Sequence, residues 1–214
     1  TYSVRWERVP GRLPTPAPGR PTVGKWVLAS PSAARLGESY LRDIAVNAER
    51  FVPAVLDWLV GLPEVDGERL AMVGGSTNGF VALQAAAVDP RLRAVVVLSA
   101  CGDYPAFLQG SGMGLGSAPL ELAPDYAAWI AGQQVISHPD RLLHAAVLMI
   151  NRAADPLIPV ACADETARVL AATYAAAGQA ERFRYDRLDA EGHGVGAAEN
   201  AAALAWLTRW LRPG

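Results

Sequence analysis

The chain carries, in this order, a serine, an aspartate and a histidine that could together activate a hydroxyl group for nucleophilic attack: Ser76, Asp155 and His193. A serine hydroxyl is a weak nucleophile until an imidazole takes its proton, and a carboxylate is needed to hold that imidazole in the productive orientation. The three residues are far apart in the sequence. Each of them, however, follows a short run that is typical of a β-strand, and strand ends can bring distant residues together.

Ser76 lies in the segment Gly74-Gly75-Ser76-Thr77-Asn78-Gly79, between the apolar run 69–73 and a helical pattern over 80–88. Gly74 and Gly79 allow the backbone to turn sharply, and a serine on such a turn is held out where a base can reach it. An alternative interpretation is a glycine-rich turn that packs backbone against backbone or binds a phosphate. The context favours a nucleophile.

Asp155 follows the predicted buried strand 146–150 and lies shortly before Ile158-Pro159. It is a candidate for the orienting acid, although an aspartate beside a proline can instead bond to its own backbone in a turn. Asp103, after the predicted strand 95–100, is the second candidate for this role.

His193 lies in the segment Asp189-Ala190-Glu191-Gly192-His193-Gly194, after the last predicted strand, 182–185. The chain has three histidines. His138 and His144 do not follow the last strand, so we expect them to have local polar or packing roles. Asp186 and Asp189 are expected to be solvated. His193, which lies between two glycines after that strand, is the candidate for the general base.

The segment Gly74 to Gly79 resembles the nucleophile elbow of α/β hydrolases, G-x-S-x-G, with Asn78 at the position of the final glycine. The order serine, acid, histidine is also that of this superfamily. The chain is most similar to its esterase and dienelactone-hydrolase-like branch, although dienelactone hydrolases use cysteine at the elbow. The resemblance implies that Ser76 is the nucleophile, His193 the base, Asp155 the orienting acid and the Thr77 backbone amide an oxyanion donor. It implies no metal and no organic cofactor.

The second oxyanion donor is where the chain departs from the family pattern. Family members carry a His-Gly pair after an early strand, and no such pair precedes the elbow here. In the alignment we favour, residues 35–39 resemble the G-x-S segment that follows the next strand, and the His-Gly strand is missing or rewritten. In the other alignment, Val27 to Ala29 is the oxyanion strand and Ser30 to Ala33 replaces the His-Gly loop. Ser30 to Ala33 is the nearest candidate for the donor.

Strand and helix patterns alternate along most of the chain. They predict an α/β fold with a mainly parallel sheet flanked by helices on both faces, lacking or altered in its amino-terminal strands. With 214 residues, the chain is expected to form one domain, 1–214. It includes a long helix over 40–62 and a lid-like insertion at about 104–140. The apolar residues of the insertion could face a substrate or complete the core: Tyr104, Phe107, Leu108, Met113 and Trp129.

Composition bounds the partners. The net charge is −2 without a basic stripe, so we expect neither a nucleic-acid nor a membrane partner. Although 51% of residues are hydrophobic, no apolar run is long enough to span a membrane. The two cysteines, Cys101 and Cys162, are expected to be reduced, buried thiols. The chain opens without a signal segment, so we expect a cytoplasmic or already processed protein, and Thr1 suggests that the native start is missing. The sequence does not indicate an oligomeric state.

These observations favour a serine carboxylesterase that cleaves a small-molecule ester through an acyl-enzyme intermediate. A peptidase or thioesterase of the same fold is the nearest alternative, because the triad does not distinguish acyl substrates. A hydrolase fold that binds ligands without turnover is the alternative from another class. The incomplete oxyanion pattern supports it, since loss of one donor costs about a hundredfold to a thousandfold in rate.

Overall fold

The structure is a computed structural model that describes residues 33–115 and 122–212. The predicted strand Val27 to Ala29 lies outside these residues. So does the candidate donor segment Ser30 to Ala33, apart from the backbone of Ala33, at which the first described helix begins. The prediction of a second oxyanion donor in that segment therefore stays a prediction.

Four parallel strands form one sheet in the described part of the chain, in the order β1-β2-β3-β4. They are β1 (Leu70–Gly75), β2 (Leu92–Leu98), β3 (Ala146–Ala154) and β4 (Phe183–Glu191). The helices are α1 (Ala33–Val46), α2 (Val52–Val60), α3 (Thr77–Val88), α4 (Tyr104–Gly110), α5 (Pro124–Gln133), α6 (Val160–Ala176) and α7 (Ala197–Leu211). A helix follows each strand, which is the connection that parallel pairing requires.

Helices cover both faces of the sheet. Because side chains alternate along a strand, Val95 and Val97 of β2 face a core shared with α1 to α6, whereas Val96 faces Trp206 of α7 on the other side. The predicted fold class, a parallel sheet flanked by helices on both faces, is confirmed. Among the described residues, none of the helices combines the length and apolar character needed to cross a membrane.

The predicted helix over 40–62 begins earlier, at Ala33, and is interrupted. A π-helical segment, Asn47–Phe51, separates α1 from α2. Pro53, in the first turn of α2, lacks a backbone N–H, and in a continuous α-helix its ring would clash with the carbonyl of residue 49. The wider π-helical turn accommodates the proline without ending the helix.

The cysteines are joined in a disulfide, so the expectation of reduced thiols is wrong. Cys101 follows β2 and Cys162 lies in the first turn of α6; they are separated by 61 positions in the sequence, and their Cα atoms lie 5.8 Å apart. That separation lies within the range a disulfide requires. Both residues are fully buried, as expected. The pairing depends on the packing of α6 against the end of β2, which the sequence spacing does not reveal.

Three of the five apolar residues named above for the predicted lid-like insertion are buried in the core. Tyr104, Phe107 and Leu108 of α4 are buried in the core that includes α3, the helix after Ser76. Met113 is exposed, and Trp129 is half-buried. The segment after α4 also bonds to the loop after β3, because Ser111 Oγ donates to the Leu157 carbonyl at 2.7 Å. The alternative that these residues complete the core therefore holds for α4.

Candidate active site

Ser76 lies on the turn between β1 and α3 with the backbone angles φ 55° and ψ −127°, a conformation that residues with a side chain rarely adopt. The turn is held by close backbone packing. A Cβ at Gly74 would overlap the Asn78 carbonyl, and one at Gly79 would lie 2.9 Å from the Leu98 carbonyl oxygen. The Ser76 N–H donates to that same carbonyl at 2.9 Å. The two glycines thus allow the strained turn that the sequence pattern predicted.

The structure brings the three predicted catalytic side chains into one hydrogen-bonded chain. His193 Nδ1 lies 2.8 Å from Asp155 Oδ2, and His193 Nε2 lies 2.8 Å from Ser76 Oγ. A carboxylate can only accept a hydrogen bond, so His193 Nδ1 carries the ring proton and donates a hydrogen bond to Asp155 Oδ2. In the neutral ring Nε2 is then free to accept from the Ser76 hydroxyl, which is the arrangement a general base requires.

Asp155 is fixed as well as paired. Its side chain is 1% exposed, and its other carboxylate oxygen, Oδ1, accepts from the backbone N–H groups of Leu157 at 2.8 Å and Ile158 at 3.1 Å. The turn role that was the alternative for this residue is thus present together with the bond to His193. Asp103, the second candidate acid, caps α4 by accepting from the Ala106 N–H at 3.1 Å.

An ion pair that the sequence analysis missed supports the His193 loop. Arg152, on β3, donates to Glu199 Oε1 at 2.9 and 2.7 Å and to the Glu191 carbonyl at 3.2 Å. Glu199 Oε2 in turn accepts from the Gly196 N–H at the start of α7. Bonding to Arg152 lowers the pKa of Glu199, so this carboxylate is charged at neutral pH. Glu199 thus satisfies the amide of the residue that precedes α7, which is the part of a capping box that its glutamate supplies; Gly196 has no side chain for the other part, so the sequence carries no such signature here.

The other histidines and acids do not join this group of side chains. His144 lies beside the start of β3, where burial lowers its pKa, and its carbonyl accepts from Arg182. His138 occupies the turn between two short 3₁₀ segments. Asp186 pairs with Arg184, and Asp189 is exposed. Within residues 33–115 and 122–212, no cluster of three or more His, Cys, Asp or Glu side chains could hold a metal ion.

Thr77, the predicted oxyanion donor, is the first residue of α3 and is exposed beside Ser76. The first N–H groups of a helix have no partner within the helix, so its backbone amide is available to an anion at the elbow. Its side chain is occupied: Thr77 Oγ1 lies 2.8 Å from the hydroxyl of Tyr40, a residue of α1.

Comparison of the sequence with other proteins finds one family and one curated relative that are both named for hydrolase activity. Residues 48–113 match the family described as X-Pro dipeptidyl-peptidase (S15 family). The chain is also 26% identical, over 161 residues, to the Bacillus subtilis protein named "Putative hydrolase YtaP". That alignment covers 74% of this chain and 51% of the relative, so the chain spans about half the length of the curated relative it matches.

Solved structures give the same fold. A puromycin-hydrolyzing peptidase of Mycobacterium tuberculosis aligns with a TM-score of 0.62 and 23% identity, covering 78% of this chain and 25% of the other. A glucuronoyl esterase from Solibacter usitatus aligns with a TM-score of 0.58 and 14% identity, and the alignment covers 79% of this chain and 49% of the other. Acetyl xylan esterase 1 from Thermoanaerobacterium aligns with a TM-score of 0.51 and 18% identity, and the alignment covers 74% of this chain and 50% of the other. The parallel sheet and these structural matches show that the described part of the chain has the α/β-hydrolase fold, and the proteins it resembles are hydrolases by name.

Proposed function

We propose that the protein is a serine hydrolase that cleaves a carboxylic ester of a small molecule through an acyl-enzyme intermediate. The observation that carries the proposal is the chain of two 2.8 Å hydrogen bonds from Asp155 through His193 to Ser76. A serine on a strained turn, with a base at its hydroxyl and a buried acid behind the base, is the arrangement that activates a nucleophile.

In the proposed reaction, Ser76 Oγ attacks the ester carbonyl while its proton moves to His193 Nε2. The positive charge that forms on the imidazole is stabilised by the Asp155 carboxylate, and the negative charge on the carbonyl oxygen by the Thr77 N–H. The tetrahedral intermediate collapses when His193 returns the proton to the leaving alcohol. Water then attacks the acyl group on Ser76, with His193 again as base, and releases the acid.

A peptidase is the second candidate. The matched family is named for an X-Pro dipeptidyl-peptidase, and the matched residues include the elbow. An amide leaves as an amine, which must be protonated, and His193 is in position to do so in the same cycle. The matched region ends before Asp155 and His193, and the sequence resemblance, which covers roughly Trp26 to the C-terminus, supports the esterase branch.

The experiment compares hydrolysis of a short p-nitrophenyl ester with that of an X-Pro p-nitroanilide by the wild-type protein and by Ser76→Ala. We expect ester turnover with the higher kcat/KM and its loss in the variant. Preference for the anilide, with the same dependence on Ser76, would replace the esterase by a peptidase. Turnover that survives in Ser76→Ala, or no turnover of either substrate by the folded protein, would contradict the proposal. The second of these results would favour a binding protein without catalysis.

A further inference from the structure

The side chain next to the nucleophile has an unusual partner for an exposed residue. Thr77 Oγ1 and the Tyr40 hydroxyl lie 2.8 Å apart, although the two residues come from different helices. Thr77 directly follows Ser76, and its backbone amide is the proposed oxyanion donor. A side-chain hydroxyl therefore lies on the residue whose amide is the proposed oxyanion donor, and no His-Gly pair precedes the elbow in the sequence.

Tyr40 is held by packing around its ring. The ring lies edge-on to Phe80, with 6.3 Å between ring centroids, and against Phe107 at 5.7 Å. These geometries are favourable for aromatic pairs, and Phe80 and Phe107 are fully buried. The half-buried Tyr40 thus has little freedom, and its hydroxyl is directed at Thr77.

The helix that carries Tyr40 is fixed in turn. Gly37, one turn before Tyr40, packs so closely on the Leu115 backbone that a Cβ there would overlap the Leu115 carbonyl. The Tyr126 hydroxyl of α5 donates to the Gly37 carbonyl at 3.3 Å. The position of the Tyr40 hydroxyl is therefore set by the fold and not by Thr77.

The chemistry of the two hydroxyls gives the hydrogen bond a direction. A phenol is a stronger acid than an aliphatic alcohol, so Tyr40 is the better donor and Thr77 the better acceptor. Burial raises the pKa of Tyr40, which keeps its proton in place at neutral and moderately alkaline pH. When Tyr40 donates to Thr77 Oγ1, the hydrogen of Thr77 remains available for another acceptor.

We propose that Thr77 supplies two donors to the oxyanion, its backbone N–H and its Oγ–H, and that Tyr40 is a positioning residue that orients the Thr77 hydroxyl. This inference rests on the proposed function. It assigns the role that a second donor has in this superfamily to a side chain of the elbow itself. Tyr40 acts only through Thr77 and does not touch the substrate.

The test is a double-mutant cycle on ester hydrolysis with Thr77→Val, Tyr40→Phe and both changes together. Valine keeps the shape and the backbone amide of Thr77 but removes its hydroxyl, so kcat should fall by about a hundredfold or more with KM little changed. Tyr40→Phe keeps the ring packing and should lower kcat less. In the Thr77→Val background, Tyr40→Phe should have no further effect on kcat. Thr77→Ser should retain most of the activity.

Tyr185→Phe is the matched control, because it removes another half-buried tyrosine hydroxyl, which bonds to Asp164 between β4 and α6 and contacts neither Thr77 nor α1. We expect it to leave kcat near the wild-type value. Wild-type kcat in Thr77→Val would overturn the inference, and so would a loss in Tyr40→Phe that is equal in both backgrounds. Labelling of wild-type Ser76 by a fluorophosphonate separates the two proposals. If Ser76 is labelled and these variants are unaffected, the inference fails alone, whereas an unlabelled Ser76 removes the proposed function as well.

Discussion

The elbow that carries Ser76 and the loop that carries His193 meet in one hydrogen bond, but different forces hold them in place. The elbow is positioned by backbone packing: Gly74 lies against the Asn78 carbonyl and Gly79 against the end of β2. The His193 loop is positioned by charge, through Arg152 and the buried carboxylate of Glu199.

This difference predicts which changes, in pH, in salt or in side-chain volume, each part of the site will not tolerate. A packed backbone tolerates changes in pH and salt but not an added methyl group. An ion pair tolerates small changes in shape but depends on the protonation of its carboxylate. Asp155 connects the two regions only through His193, because it holds one ring nitrogen while the other ring nitrogen lies 2.8 Å from Ser76 Oγ.

The largest expected effect is on this connecting acid. Asp155→Asn should lower kcat for ester hydrolysis by about ten-thousandfold, the loss seen for the equivalent change in the best-studied serine protease, because the amide favours the wrong tautomer of His193. Asp103→Asn is the matched control and should be mild, since Asp103 only caps α4. A severe loss in Asp103→Asn together with a mild one in Asp155→Asn would reverse the assignment of the acid.

Removal of the disulfide should have the next largest effect, which is on the free energy of unfolding. Cys101 and Cys162 join the strand beside the elbow to the helix after the acid loop, and they close a long loop of the chain. Replacing both with alanine should lower the free energy of unfolding by about 4 kcal/mol in the chain-entropy account. Urea denaturation measures the loss. Two free thiols titrated in the unfolded, unreduced wild-type protein would show that the bond is absent.

Breaking the packing of the elbow is the third test. Gly74→Ala places a methyl group into the Asn78 carbonyl and should cost about 3 kcal/mol or more in the free energy of unfolding. Gly132→Ala, in α5, is the control: nothing lies within 4 Å of its added Cβ, and alanine should stabilise the helix by about 1 kcal/mol. Equal stability of the two variants would mean that the elbow is not closely packed.

The smallest effect concerns the charged support of the His193 loop. The pKa of Glu199 is lowered in the folded state, so its stabilising contribution is complete above the ordinary value of 4.5 and is lost as pH falls through the lower folded value. Glu199→Gln should therefore lower the free energy of unfolding at pH 7 by about 1–3 kcal/mol and show little difference from wild type in strong acid. A difference that is the same at both pH values would exclude the ion pair as its cause.

How much the sequence predicts also differs between regions. Apolar runs mark strands β1, β2 and β3. Strands β2 and β3 need such runs because they are buried, whereas β1 is apolar but only partly buried. Ser76 follows the end of β1, and Asp155 follows the end of β3. The edge strand β4 extends beyond the predicted 182–185 to Glu191, because its alternating exposed and half-buried residues lack that signal. Its length still leaves His193 just beyond its end.

Contacts between distant segments could not be predicted in the same way. Three such contacts join residues from separate elements: the Cys101–Cys162 bond, the Arg152–Glu199 pair and the Tyr40–Thr77 hydrogen bond. No local pattern encodes such partners, because they depend on how the elements pack. The order serine, acid, histidine could be used to choose the candidate residues only because the superfamily resemblance supplied that order.

The most direct test of the central claim is the site and rate of covalent labelling. The folded protein is treated with a fluorophosphonate, and the modified residue is identified by peptide mass mapping, with Ser76→Ala and His193→Ala treated in parallel. The account predicts a single label on Ser76, none in Ser76→Ala and much slower labelling in His193→Ala, because the hydroxyl needs its base. A label on another serine, or equal labelling rates with and without His193, would contradict it.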